Sequence, residues 1–172
     1  STGVNSVAIG AYALDGATGA ADDNVAIGTN AMGGAIGAEV VDDCVAIGSG
    51  ALSGALDSTN GVDESSGTVA IGKSALAALS TGAGNVAVGY QALATEDTGV
   101  KSTAIGYQAL TAQNSTDAMN TAVGYKAGAA ITTGYNNTLI GREAGDALTS
   151  ASGNVVMGCG ALVPPLLPNQ VI

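Results

Sequence analysis

The chain has 172 residues, 47% of them apolar, and a net charge of −10 from 14 acidic and 4 basic residues. So acidic a chain lacks the Lys/Arg clusters that nucleic acid or an anionic membrane surface needs, and neither is expected as a partner. It has no His, which excludes imidazole metal sites and His-based triads. It has no run of 18 apolar residues, so no membrane-spanning helix and no insertion into a bilayer are expected.

One phrase recurs nine times in chain order: Ser6-Val-Ala-Ile-Gly10, Asn24-Val-Ala-Ile-Gly28, Cys44-Val-Ala-Ile-Gly48, Thr68-Val-Ala-Ile-Gly72, Asn85-Val-Ala-Val-Gly89, Ser102-Thr-Ala-Ile-Gly106, Asn120-Thr-Ala-Val-Gly124, Asn137-Thr-Leu-Ile-Gly141 and Asn154-Val-Val-Met-Gly158. The glycines are 18, 20, 24, 17, 17, 18, 17 and 17 residues apart. A period of this size is the signature of a solenoid, in which each unit buries its apolar face only against its neighbours. The sequence therefore predicts an all-β, parallel β-solenoid of about nine coils over residues 1–162. Neither Phe nor Trp is present, so each coil must be thin.

Each phrase predicts a short β-branched strand with both faces buried, one by large and one by small side chains. Ala follows every glycine by three residues, at 13, 31, 51, 75, 92, 109, 127, 144 and 161, usually with Leu or Met next; Gly128 and Gly145 break that second column. This reads as a turn at the glycine and a second short strand through the Ala-Leu pair. A helix over Lys73 to Leu79 competes less well, given the glycine density. Variable segments rich in Gly, Asp, Asn, Ser and Thr close each coil. The longest, 57–67, reads as a tolerated surface insertion, ahead of the alternative of a contact loop on a binding face. From Val163 the phrase stops and all three prolines fall within 164–168. Proline does not continue a ladder, so 163–172 is read as a tail that leaves the solenoid, as a cap or a lead into a following module. The chain begins at Ser1 without Met or a basic-then-apolar leader, as a mature product or a segment of something longer would.

Cys44 and Cys159 lie six coils apart, roughly 29 Å at strand spacing. A disulfide needs Cα atoms within about 7 Å, so the two are expected to stay unpaired within one chain. Cysteine usage then says nothing about redox compartment.

The site candidates fall in columns. Asp22-Asp23 and Asp42-Asp43 occupy nearly equal places in adjacent coils, where stacking brings carboxylates within about 5 Å of each other. Solvated turn residues are the plain reading; a Ca²⁺ ion relieving their repulsion is the sharper one. No other cofactor is suggested. Tyr90, Tyr107 and Tyr125 follow the glycine in three successive coils, beside Gln91 and Gln108. They should stack, either simply holding register or binding a glycan or a host surface protein. Gly10, Gly28, Gly48, Gly72, Gly89, Gly106, Gly124, Gly141 and Gly158 are structural, as are Asn85, Asn120, Asn137 and Asn154, which should form an internal amide ladder. Asn114-Ser-Thr116 and Asn136-Asn-Thr138 have the form of glycosylation sequons. No Ser or Thr has a base partner, and the chain carries one hexapeptide-like unit per coil where acyltransferase β-helices use three, so an enzyme is not expected. An ice- or surface-binding solenoid is the competing reading, with Thr103, Thr121 and Thr138 in one column.

The phrase Asn-Ser/Thr-Val-Ala-Ile-Gly-x-x-Ala-Leu resembles the head repeats of YadA-like trimeric autotransporter adhesins. Asn85 to Leu93, Ser102 to Leu110 and Asn120 to Ala127 are similar to the Asn-Thr-Ala-Val-Gly-Tyr-Gln-Ala-Leu repeats of phage tail-fibre and other fibrous surface proteins. The resemblance spans residues 5–162. It implies a left-handed β-roll, a homotrimer, and a structural or adhesive part in a fibre at a cell or virion surface or outside the cell. Physics points to self-association as well. If Val and Ile line the coil, the Ala face is left as a flat apolar strip, which a symmetric homo-oligomer covers.

Overall fold

The computed structural model describes residues 4–17, 21–34, 36, 41–56, 65–161 and 169–171. Nine three-residue strands stand among them: β1 (Val7–Ile9), β2 (Val25–Ile27), β3 (Val45–Ile47), β4 (Val69–Ile71), β5 (Val86–Val88), β6 (Thr103–Ile105), β7 (Thr121–Val123), β8 (Thr138–Ile140) and β9 (Val155–Met157). They form one parallel sheet in sequence order. The register is constant, so Ala26 lies on Ala46, Ala46 on Ala70 and Ala104 on Ala122. Eight pairings among nine strands make a β-solenoid of about eight turns. Each coil is named here by its strand and the turns that follow.

The strand faces are opposite to the sequence expectation. The central residue points inward: Ala26, Ala46, Ala70, Ala87, Ala104, Ala122, Leu139 and Val156 are fully buried. The Val, Ile and Thr residues on either side point outward and are half-buried in β2 to β5 and in β7. Ile105, Ile140 and Met157 are exposed at 40%, 38% and 59%. Thus the Ala column lines the coil, and the large β-branched residues form its outer face. Thr103, Thr121 and Thr138 share that face and are half-buried.

The interior explains this. It is already occupied by Leu14, Met32, Leu52, Leu76, Leu93 and Leu110, four residues after each glycine, and by Leu79, Ile131 and Leu148, seven after it. Only a methyl fits where the strand turns inward. The exceptions are Leu139 and Val156. Leu139 Cδ1 and Cδ2 fill the space over Gly128 and Gly145, where a Cβ would sit 2.6 and 2.8 Å from them. Those glycines hold the places that Leu fills in earlier coils. A large residue in one column thus fills part of the space that small residues leave in the other.

The Ala-Leu pair is a turn, not a second strand, and Lys73 to Leu79 is a series of turns, not a helix. In coil 5, Gln91 and Leu93 have φ of 53° and 51°; the equivalent pair in coil 6, Gln108 and Leu110, has 53° and 50°. Alternating left-handed residues aim successive peptide groups up and down the stack. Gln108 N–H therefore donates to Tyr90 O at 2.8 Å, and Leu93 N–H donates to Ala109 O at 3.1 Å. The turn thus carries its own ladder of backbone hydrogen bonds from coil to coil, although left-handed Leu is locally unfavourable.

The residue four before the glycine forms a second, side-chain ladder inside the coil. Asn85 Oδ1 accepts from Ser102 N at 2.9 Å, Asn120 Oδ1 from Asn137 N at 2.8 Å, and Asn137 Oδ1 from Asn154 N at 3.0 Å. Asn24 Oδ1 likewise accepts from Cys44 N at 2.9 Å. Thr68 interrupts the series: its Oγ1 is the one buried side-chain polar atom without a partner among the described residues. A Thr68→Asn variant should complete the ladder and gain about 1 kcal/mol. The check is an upward shift of the urea midpoint at unchanged slope.

Residues 163–168 lie outside the described ones. By 169–171 the chain is back on the stack. Val171 bridges Val155 in parallel, Val155 N–H donates to Gln170 O at 2.7 Å, and Gln170 N–H donates to Asn154 Oδ1 at 3.0 Å. Asn169, at φ 58°, takes the left-handed place of Gly153 at φ 74°. Residues 169–171 thus lie against the last coil.

Candidate functional site

The nine glycines after the strands share φ values between 127° and 143°. Each N–H from Gly28 onward donates to the carbonyl of the last strand residue in the preceding coil, as Gly106 to Val88 at 2.8 Å. This column sets the corner from which the next residue projects outward.

At that corner Tyr90, Tyr107 and Tyr125 stack, with ring centroids 5.1 and 5.3 Å apart and planes 14° and 13° from parallel. They are 38%, 44% and 44% exposed. Gln108 Nε2 donates to Gln91 Oε1 at 2.9 Å, and Lys126 Nζ lies 5.5 Å from the Tyr125 ring centre. Lys73 precedes the tyrosines in the same column and Arg142 follows them. Stacking occupies the inner ring faces. The ridge therefore offers ring edges, phenolic hydroxyls, amides and cations, which is hydrogen-bonding chemistry rather than an open aromatic platform.

The charge layout is as uneven as the packing. In the nine stretches from four residues before to four after each glycine there are three cations, Lys73, Lys126 and Arg142, and one acid, Glu143. The other thirteen acids of the fourteen lie elsewhere. Arg142 Nη1 and Glu143 Oε2, 2.9 Å apart, are the one ion pair among the described residues. The outer Val/Ile face and the tyrosine corner are thus nearly free of negative charge in a strongly acidic chain.

The aspartates serve the backbone. Asp22 Oδ1 accepts from Val4 N and Asp42 Oδ1 from Asp22 N, both at 2.7 Å. Asp23 and Asp43 are exposed at left-handed turn positions, φ 56° and 58°. No group of three or more His, Cys, Asp or Glu side chains able to hold a metal ion exists among the described residues. Asn114 and Asn136 are both exposed. A row that sequence reasoning passed over lies nine residues after the glycine: Thr81, Thr98, Ser115, Thr133 and Ser150 place a hydroxyl in five successive coils. Two shallow hollows adjoin it, one lined by Thr81, Gly82 and Thr98, the other by Ser115, Met119, Thr133 and Tyr135. Counting forward from the glycine, instead of back from the next one, would have exposed the row.

Both cysteines are free thiols, Cys44 buried and Cys159 exposed. Burial pushes the Cys44 thiol up from 9.0 to about 11, against a smaller opposing effect of the Thr68 and Gly67 amides. The unfolded chain gives up this proton near pH 9 and the folded chain near pH 11, so between them the unfolded state binds fewer protons. Stability is complete below pH 9 and falls as pH rises to 11, by about 3 kcal/mol at full effect. Urea midpoints at pH 8 and pH 11, compared with a Cys44→Ser variant, isolate this from Tyr and Lys titration. A thiol reagent should label Cys159 at once and Cys44 only on unfolding.

No helix among the described residues is long and apolar enough to cross a membrane. No family model matches the sequence, and neither the curated proteins nor the solved structures yield a match.

Proposed function

We propose that this solenoid is a structural and adhesive segment of a fibre at a cell or virion surface, packed with copies of itself through the outer face of its sheet. The observation that supports this reading is that face. It carries two columns of Val, Ile, Thr and Met along nine coils, with Ile105, Ile140 and Met157 exposed, and no acid. A strip of this length is a liability on an isolated rod and an asset in a symmetric assembly. The resemblance to trimeric adhesin heads makes three copies and left-handed winding the specific form proposed. It replaces the Ala face of the sequence reading by the Val/Ile face. The tyrosine corner, Tyr90, Tyr107 and Tyr125 with Gln91 and Gln108, is the proposed contact for a host glycan or surface protein.

The test is mass in solution by light scattering. The parent should be a trimer, and Val123→Lys, on the outer face, should lower the mass while leaving the circular dichroism unchanged. A monomeric parent overturns the assembly. The hydroxyl row gives the ice- or surface-binding reading its own support, and an ice-recrystallisation assay on the parent separates the two.

A further inference from the structure

Seven residues after the glycine, the interior column is apolar at Leu79, Ile131 and Leu148, yet between them it holds Glu96 and Gln113, all five fully buried. Glu96 Oε2 accepts from Gln113 Nε2 at 2.7 Å, and its Oε1 accepts from Gly99 N at 2.8 Å. Gln113 Nε2 also donates to Ser102 Oγ at 3.0 Å, and Gln113 Oε1 accepts from Asn120 Nδ2 at 2.9 Å. Gly99 is fitted to this carboxyl, since a Cβ there would lie 2.5 Å from Glu96 Cδ.

We propose that the Glu96–Gln113 pair is a register key, which makes coil 5 stack only on coil 6 of a correctly wound chain. Apart from the fit of Leu139 over Gly128 and Gly145 and the stack of Tyr90, Tyr107 and Tyr125, the stacking surface carries little such information. The strand phrases are nearly identical, the Asn ladder recurs at several steps of the stack, and most hydrogen bonds between turns run from backbone to backbone. Coil 5 placed on coil 7, or on a coil of another chain, satisfies all of these almost equally. It would, however, set the Glu96 carboxyl against Ile131, Leu148 or another apolar neighbour, without the Gln113 donor. A buried polar group left without its partner is strongly disfavoured, and a unique polar pair in an otherwise repetitive core is an attested way to fix register. The key thus discriminates between arrangements more than it stabilises the correct one.

Refolding from urea at several protein concentrations tests this, with native recovery read by size exclusion and stability by urea midpoint. Replacing both members, Glu96→Leu with Gln113→Leu, should keep the parent's midpoint or raise it, while native recovery falls severalfold and mis-stacked, higher-mass material takes its place. Glu96→Gln keeps a polar partner for Gln113 and should recover like the parent. Gln113→Leu alone, which strands the carboxyl, should lose both stability and recovery. Parent-like recovery of the double Leu variant overturns the proposal. So does a double variant as unstable as Gln113→Leu, because the pair would then be needed for stability in its own right.

Discussion

Ala104→Glu should unfold the middle of the solenoid, whereas Ile105→Lys, one residue on, should leave it folded. Ala104 is fully buried, paired with Ala87 on one side and Ala122 on the other, and surrounded by coil interior. A carboxylate there has neither water nor a cation, and stranding one costs about 3–5 kcal/mol. A domain's whole stability is of the order of 5–15 kcal/mol. Since coils 5 to 7 share the position, the loss should spread to neighbouring turns. Ile105 points outward and is 40% exposed, so its substitution acts on assembly instead. Ala78→Glu, at an exposed turn position, is the silent control. Circular dichroism and soluble yield read the difference. Equal tolerance of Ala104→Glu and Ala78→Glu would mean that the Ala column does not line the coil.

The second large effect is expected at Gly106. Its φ of 143° is one that side-chain-bearing residues rarely adopt, and an added Cβ would collide with the carbonyl oxygen of Gly124 in the next coil. Gly106→Ala therefore combines a strained backbone with a backbone-to-backbone clash that no rotamer relieves. A loss of more than about 3 kcal/mol is expected, well above the usual cost of a surface substitution. Gly160→Ala is the comparison, because a Cβ at Gly160 meets nothing within 4 Å. Its φ of 63° leaves only the ordinary left-handed penalty, about 1 kcal/mol. Thermal melts of the two variants should differ by several degrees.

The number of strands, their order and their register were legible because they follow from spacing. Nine similar phrases joined by short connections stack most simply in sequence order. Which strand face is inside was not legible from the phrase, since Val, Ala and Ile are all apolar and only interior volume separates them. The deciding clue lay between columns. Leu139 appears in the Ala column where Gly128 and Gly145 replace Leu, and only an inward Ala column makes that exchange necessary. The Ala-Leu pair suggested a second strand because left-handed Leu runs against propensity; the turn's backbone ladder between coils overrides that preference. The stacking of the tyrosines follows from their period, but the period does not reveal that their faces are used up by one another. Glu96 and Gln113 carry no sequence signal of burial, because the column seven after the glycine is set by turn geometry that the sequence does not display.

The Asn ladder has a direction. Each Oδ1 accepts from the coil that follows it and never from the one before. A chain made from its N-terminus therefore ends, whenever an Asn coil is the last one finished, in an amide oxygen that waits for a backbone N–H not yet emerged. The next coil meets a preformed acceptor at the height where its own strand must begin. Winding becomes vectorial, with each Asn coil serving as the template for its successor, and unravelling should run the other way, from the last coil toward the first.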